Sequence, residues 1–590
     1  MSHRLLALLS CLGCLGMHAQ SAPSTPTLQT AVQLVVEDVV VTDRQGVPVH
    51  GLGQVDFSVR ENSAPQTLRG VEEHVGGRDK QVARQQLPPG VFSNVPVVEG
   101  VADVLLLDGM NTPPQSQPYL RDQLVKFLAA ERPGTRIAVF TLNQSLQMLQ
   151  SFTTDPELLK RVVKLQGVQF SPLLSRELND TDAHKTSETL TGMIEKASDP
   201  GMARMLEDVQ RGLLDMAARR SSQQVQVRAR LTMDALMQMA RYLAGVPGRK
   251  NLLWFSGSFP VSILRDIQTT GDPFAGQADL TAELQRTINL LAVDRVAVYP
   301  IDARGLEPPP SQGVEENGFT GDRQRAQRTY GTSAPDPRDS QFYLDQAMEH
   351  STMLQLAQGT GGEAFYNTNG LQQAAERATT DGSNYYTLQY TPPPGGKPGE
   401  LRRIEVRVNR PGVKLSYRRA YYSSNPTVAT AASSISSAAV FRAPDASEIG
   451  FRLTPAAVGS APPDKTVGLK AAGPDHGFYT LNLEVPLDMF TVQQSGDGKH
   501  RATLEFATLL YSPTGSILDS HQDRAALVMD DARYQAMVQA GSLRFHHTVA
   551  LGVGSRGSVR VLVRDVSTNR VGSLRLTDEQ IRQAGLAAKP

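Results

Sequence analysis

The apolar run Val101-Ala-Asp-Val-Leu-Leu-Leu-Asp108 ends in a carboxylate and is followed by Gly-Met-Asn111-Thr112. Such a run reads as a buried parallel strand, and in open α/β sheets the ligand crevice lies beyond the carboxyl ends of the strands. Asp108 therefore stands where a ligand or metal ion could be met, with Asn111 and Thr112 beside it. The plainer reading is loop capping, which Asp and Asn commonly do after a strand. A second run, Asn251-Leu-Leu-Trp-Phe-Ser256-Gly-Ser258, also ends in hydroxyls. A serine there can be a nucleophile, yet Ser256 and Ser258 lack the Gly-x-Ser-x-Gly elbow and no helix begins directly after them. A hydrolase would pair one of them with His184 or His350 and an acid such as Asp302, and nothing in the spacing supports this. Asp302 reads more simply as a strand-end cap. Gly359-Thr-Gly-Gly362 has the composition of a phosphate cradle, but it follows a helix and lacks the Lys of such a loop, so it reads as a helix C-cap. His546 and His547 are neighbours in a strand, point to opposite faces and cannot hold one ion together.

The elements that must position these residues alternate between strand and helix. Tyr119 to Ala130 places Leu120, Leu124, Phe127 and Leu128 at helical spacing, and Pro133-Gly134 ends it before the strand Arg136 to Leu142. Gln147 to Phe152 reads as a short strand, Pro156 to Leu165 as a helix opened by Asp155, and Val225 to Leu243 as a longer helix closed by Gly245 and Pro247. A helix from Leu280 to Asp294 leads into the strand Arg295 to Asp302, and a helix from Tyr343 to Gln358 precedes a strand over Glu363 to Tyr366. This order predicts an α/β fold with a doubly wound, mostly parallel sheet.

Several blocks in this order resemble a von Willebrand factor type A domain: Asp108 at the end of the first strand, "SFTTDPELL" after the third, and "NLLWFSGSFP" as the fourth. More specifically, "VVVTDRQGVPVHGL", "LLLDGMNTP", "VYPIDARGL", "LAQGTGGEAF" and "RRIEVRVNRPGVKLSYRRAYY" resemble bacterial A-domain-related proteins of the acidobacterial type, over roughly residues 31 to 425. The resemblance implies a metal-ion-dependent adhesion site, in which Mg²⁺ held by carboxylates and hydroxyls leaves one position for a partner's acidic side chain. The family pattern is Asp-x-Ser-x-Ser, with a Thr from a second loop and an Asp after the fourth strand. Here Asp108 matches, Thr112 takes the second hydroxyl position and Met110 replaces the first. The second loop offers only Ser171, and Ser256 stands in the place of the Asp. One carboxylate of two remains, so the implied site is degenerate: no cofactor, or weakly bound Mg²⁺ on Asp108 and Thr112.

A chain of 590 residues exceeds one core, and about one domain per 150 residues predicts three or four units. Its 59 basic and 59 acidic residues cancel, which removes any global electrostatic reason to expect nucleic acid. Arg4, the apolar run Leu5 to Leu15 and Met17-His-Ala19 read as a signal peptide over residues 1–19, predicting a secreted, periplasmic or cell-envelope protein. Both cysteines, Cys11 and Cys14, fall inside it, so the mature chain would form no disulfide. Lipidation at Cys14 is the alternative. No other run is long and apolar enough to span a bilayer.

Residues 31–96 and 384–423 are strand-like flanks on either side of the A-like region, 100–383. Neither has enough strands to close a core, so the two are expected to pair into one sandwich. Residues 424–442 read as a linker, and 443–580 as a C-terminal β-sandwich. The insertion 172–224, with Met193, Met202, Met205 and Met216, reads as a peripheral helical hairpin, a lid or a partner-binding arm. Taken together, the sequence predicts an exported binding module that holds another protein or an envelope component at a crevice of Asp108, Asn111, Thr112, Ser171, Ser256 and Ser258. It does not predict an enzyme. The rivals are a serine hydrolase using the Ser256 region and a purely structural envelope protein.

Overall fold

The computed structural model describes residues 34–76, 87–96, 101–130, 134–166, 171, 181–257, 259, 280–309, 337–393, 400–423, 438–459 and 466–587. They form a mixed α/β molecule with several sheets, one of them largely parallel. The chain enters through β1 (Val35–Thr42), β2 (Phe57–Glu61), β3 (Ala64–Gln66) and β4 (Leu68–His74). It then passes through the two-residue β5 (Phe92–Ser93).

The central sheet contains β6 (Ala102–Asp108), β7 (Arg136–Leu142), β8 (Leu146–Thr153), β9 (Lys250–Ser256) and β10 (Val296–Asp302), in the order β10-β9-β6-β7-β8. The pairs β10–β9, β9–β6 and β6–β7 are parallel, and β7–β8 is antiparallel. All seven residues of β6 are buried because the sheet is covered on both faces, which is why the strand reads as an unbroken apolar run. Val104 and Leu106 face one core, Leu105 and Leu107 the other.

Helices α1 (Gln117–Ala130), α2 (Pro156–Gln166), α3 (Thr181–Lys196), α4 (Pro200–Leu243), α5 (Leu280–Val293), α6 (Pro337–Thr360) and α7 (Leu371–Ser383) alternate with these strands. Buried residues of α4, α5 and α6 pack on one face, and those of α1, α2 and α7 on the other. Helix α4 corrects the sequence reading, which begins at Val225. It runs unbroken for 44 residues, about 66 Å, from Pro200 in its first turn, with the Asp199 side chain accepting from the Gly201 amide at 3.0 Å. Its first half, which the sequence reading assigns to the insertion, is mostly exposed and continues into the buried second half without a break. The strand expected at Glu363 to Tyr366 reduces to one bridge, Phe365 to Ile301, since the chain turns away at Asn367 with φ 54°. The glycine motif caps α6: Gly361 is left-handed at φ 81°, and the Gly362 amide donates to Ala357 O at 2.9 Å.

Strands β11 (Tyr385–Tyr390), β12 (Leu401–Val408), β13 (Lys414–Ser416) and β14 (Ala420–Tyr422) return to the first four. The two sheets are β13-β1-β11-β4, in which strands from before and after the central unit alternate, and β14-β12-β2-β3, in which the two later strands pair with the two earlier ones. Both sheets enclose one cluster that includes Val39, Val59, Leu388 and Val406. This unit is fixed to the central one by an ion pair with a buried carboxylate, Arg295 to Asp38 at 2.6 Å, and by Arg418, which pairs with the buried Glu37 of its own unit at 3.1 Å and donates to Ala292 O of α5 at 3.5 Å. Burial raises Asp38, but its hydrogen bonds from Arg295 and the Arg295 charge outweigh this and hold the carboxyl below its ordinary value.

The last unit contains β15 (Arg452–Val458), β16 (Thr466–Val467), β17 (His476–Pro486), β18 (Gln493–Gln494), β19 (His500–Tyr511), β20 (Ile517–Met529), β21 (Ser542–Gly552), β22 (Ser558–Asp565) and β23 (Val571–Thr577). Helices α8 (Asp531–Ala540) and α9 (Asp578–Ala587) complete it. One sheet is β16-β21-β17-β15-β5; the other is β18-β19-β22-β23 with β20 on β19; they share a core. Three expected boundaries move. Phe92 and Ser93 pair with β15 rather than with the N-terminal flank, because Asn94 is buried against Ala446, Ile449 and Phe451. Ala438 to Phe441, read as linker, pack on Tyr511 and Leu562, and the buried Arg560 donates to Ala438 O and Ala443 O at 2.6 Å each. The unit runs past residue 580, since Ile581 and Ala584 of α9 are buried.

Candidate functional site at the carboxyl edge of the central sheet

Asp108, Asn111, Thr112 and Ser256 come together at the carboxyl end of β6 and β9, and all four are completely buried. Asp108 Oδ1 accepts from the amides of Met110 (3.1 Å) and Asn111 (3.0 Å). Its Oδ2 accepts from Asn111 Nδ2 (2.8 Å), Trp254 Nε1 (3.1 Å) and Ser256 Oγ (2.9 Å). Asn111 Nδ2 also donates to Thr232 Oγ1 on α4 at 3.0 Å, so the cluster spans two strands and a helix. Burial pushes the Asp108 carboxyl above its ordinary value, against the pull of the bonds from Asn111, Ser256 and Trp254.

The neighbouring loops interlock closely. The Gly257 amide donates to Thr112 Oγ1 at 3.1 Å, and a Cβ on Gly257 would lie 2.6 Å from Pro113 Cδ. Met110, which replaces a hydroxyl of the family pattern, is fully buried in the core, and Trp254 packs edge-on against Phe259. These residues do not fit a hard divalent cation. Such an ion needs about six oxygen ligands, whereas two backbone amides, a carboxamide NH₂ and an indole N–H have no lone pair to offer and already occupy the carboxylate. Among the described residues this edge is a closed hydrogen-bonded knot rather than an open rim.

Ser171 is buried, but residues on both sides of it lie outside the described set. Ser258 and the signal-peptide segment 1–19 also lie outside it, as does the side chain of His184. The triad members that can be placed are separately engaged. Ser256 donates to Asp108, while His350 lies 3.8 Å from Asp302 and stacks on Tyr366. Asp302 also accepts from the Arg304 amide (3.0 Å) and from its guanidinium (3.0 and 2.8 Å), and Arg304 continues to Glu349 at 2.7 Å.

The sequence did not reveal Trp254 and Thr232 as members of this cluster. The only available signal was an indole within an otherwise aliphatic strand, since a buried indole N–H needs an acceptor. Among the described residues, no helix is long and apolar enough to cross a membrane. In the insertion, α3 and α4 pair through Gln210 Nε2, which donates to Ser187 O (3.0 Å) and Thr191 Oγ1 (2.7 Å). On the first half of α4, Met202, Met205, Val209 and Met216 are each at least half exposed and share one helical stripe.

No family model matches the chain, and no curated protein matches it. Among solved structures, an aerotolerance-related membrane protein from Bacteroides fragilis is 10% identical, with 48% of this chain and 98% of that chain covered and a TM-score of 0.23. BatB, a conserved hypothetical protein from Bacteroides thetaiotaomicron, is 10% identical over 48% and 98% of the two chains, with a TM-score of 0.20. A von Willebrand factor type A protein from Catenulispora acidiphila is 9% identical over 62% and 74%, with a TM-score of 0.23. Likeness at these scores carries no argument, so the fold rests on the strand order and direction given above.

Proposed function

We propose that the chain is an exported module related to bacterial von Willebrand factor type A proteins, acting without catalysis as a protein-binding scaffold that needs no metal. The observation that carries this reading is the set of five donors on Asp108, which ties up the one carboxylate retained from the adhesion-site pattern. A doubly wound, mostly parallel sheet then serves as a rigid core, and the sheet pairs on either side act as sandwich-like spacers. Contact with another protein or an envelope component passes to a surface away from the sheet edge. The exposed stripe of Met202, Met205, Val209 and Met216 supports this, because methionines adapt to irregular apolar partners.

Affinity capture from the source organism's envelope fraction tests the reading, with the full chain as bait in EDTA or Mg²⁺. The expected result is the same partner in both buffers, lost when Met202→Glu and Met205→Glu are combined. Capture that requires Mg²⁺ and survives the double substitution overturns it.

A further inference from the structure

Away from the central sheet, a second group of side chains converges. His521 and Asp523 lie two residues apart on one face of β20, while His547 is on β21, in the opposite sheet of the last unit. Asp523 Oδ2 is 3.2 Å from His521 Nε2 and 3.3 Å from His547 Nε2, and one ligating atom from each residue falls within 4.8 Å of the others. The His547 neighbour behaves as strand geometry requires: His546 is exposed on the other face. His547 finds its partners across the sandwich instead of along the chain.

We propose that His521, Asp523 and His547 form a binding site for a divalent cation of the Zn²⁺ class, with one coordination position open to water. Two imidazoles and a carboxylate suit Zn²⁺ and its first-row neighbours, whereas Mg²⁺ and Ca²⁺ require oxygen. Ligands about 2.0–2.1 Å from a tetrahedral ion lie about 3.3 Å apart, the separation already present at Asp523. The remaining histidine–histidine gap closes through His521, whose side chain is 26% exposed on a strand paired with β19. His547 Nδ1 lies 2.6 Å from Thr508 Oγ1, a buried hydroxyl on β19. An Nδ1–H donated there fixes the tautomer that presents Nε2 to the ion, the second-shell support that metal-bound histidines use. Three protein ligands and one water make an open site, and partly exposed His521 and Asp523 leave it a path to solvent. The ion would also staple β20 to the opposite sheet. The competing arrangement is a hydrogen-bonded trio with both imidazoles donating to Asp523. The site is independent of the function proposed for the central sheet.

The test uses the full untagged chain, stripped with chelator and titrated with ZnSO₄ by calorimetry and with CoCl₂ by visible absorption. One equivalent of Zn²⁺ should bind per chain and raise the melting temperature, and Co²⁺ should give the intense d–d bands of four-coordination. Thr508→Val should weaken binding about 10- to 100-fold, and His521→Ala by more than that. Asp108→Asn should leave it unchanged. Wild-type protein that binds no Zn²⁺ overturns the proposal, as does His521→Ala binding with wild-type affinity. If His521→Ala fails to fold, His521→Asn replaces it under the same criterion.

Discussion

The indole N–H of Trp254 donates to Asp108 Oδ2 across 3.1 Å, joining two adjacent parallel strands at the edge where an A-type domain would present its ion. Asp108→Ala removes the acceptor shared by five donors and leaves several of them buried without a partner. Such a loss costs about 3–5 kcal/mol. Trp254 is the only tryptophan in the chain, so its fluorescence follows urea unfolding of this unit directly. The midpoint should fall in the variant, and Mg²⁺ should move neither midpoint. A wild-type midpoint that rises with Mg²⁺, and a variant that does not respond, would restore the metal site.

Glu37 gives the seam between the first unit and the central sheet a pH dependence. Burial, only partly offset by Arg418, raises its carboxyl from 4.5 to about 7. The folded chain therefore holds this proton more tightly than the unfolded chain. The group's contribution is complete below about pH 4.5 and is lost as pH rises through about 7. Urea midpoints should fall between pH 5 and pH 7.5 (about two and a half units) more steeply in wild type than in Glu37→Gln. Asp294, raised by burial to about 7, and Asp381, raised by burial to about 6, remain in both proteins and cancel from the comparison. Equal slopes would show that Glu37 does not titrate in this window.

Two glycine-to-alanine changes should have opposite signs. A Cβ on Gly362 would lie 2.0 Å from the Val298 carbonyl oxygen, where backbone meets backbone and neither side can yield, so the loss should reach about 3 kcal/mol or more. Gly212 is on the exposed first half of α4 with nothing within 4 Å, and alanine there should gain about 0.5–1 kcal/mol through helix propensity. Denaturant midpoints compare the two. A tolerated Gly362→Ala would mean that the close approach of α6's cap to β10 is wrong.

Asn94 holds the entering chain against the last unit through Ala446 O (2.6 Å), Ile449 O (2.9 Å) and the Phe451 amide (2.9 Å). Asn94→Ala should release β5 from β15. Hydrogen exchange should accelerate at Phe92 to Ser93 and at Phe451 to Leu453 while the central strands keep their protection. Unchanged exchange at Phe451 would mean that its amide is protected by another route.

Strands β6, β9 and β10 are legible in the sequence because burial on both faces turns them into apolar runs, and their polar ends locate Asp108 and Ser256 correctly. That these ends are closed is not legible. The closure comes from Trp254 on the neighbouring strand and Thr232 on a helix, more than a hundred residues away in sequence. Strand β20 goes unread because every inward position in its middle is polar, small or only partly buried, including His521 and Asp523. The same polarity hides the proposed cation site: His521-Gln-Asp523 acquires a third partner only when β21 crosses opposite it. In the insertion a helical hairpin is legible, and α3 pairs with the first half of α4 through Gln210, but that this half runs on into Val225 to Leu243 as one helix is not, because the chain passes from exposed to buried surroundings along it.

Val35 of β1 pairs with Tyr390 of β11, so roughly 350 residues must be made before the first strand meets its neighbour. At about 5–20 residues per second, the Val-rich segment waits roughly 20 to 70 s on the growing chain with its ladder unpaired. Premature termination anywhere in that interval strands Val39 and Val41 in water. The maturation of this molecule is thus gated from its far side: a nascent chain must be shielded from aggregation until translation has passed the whole central sheet.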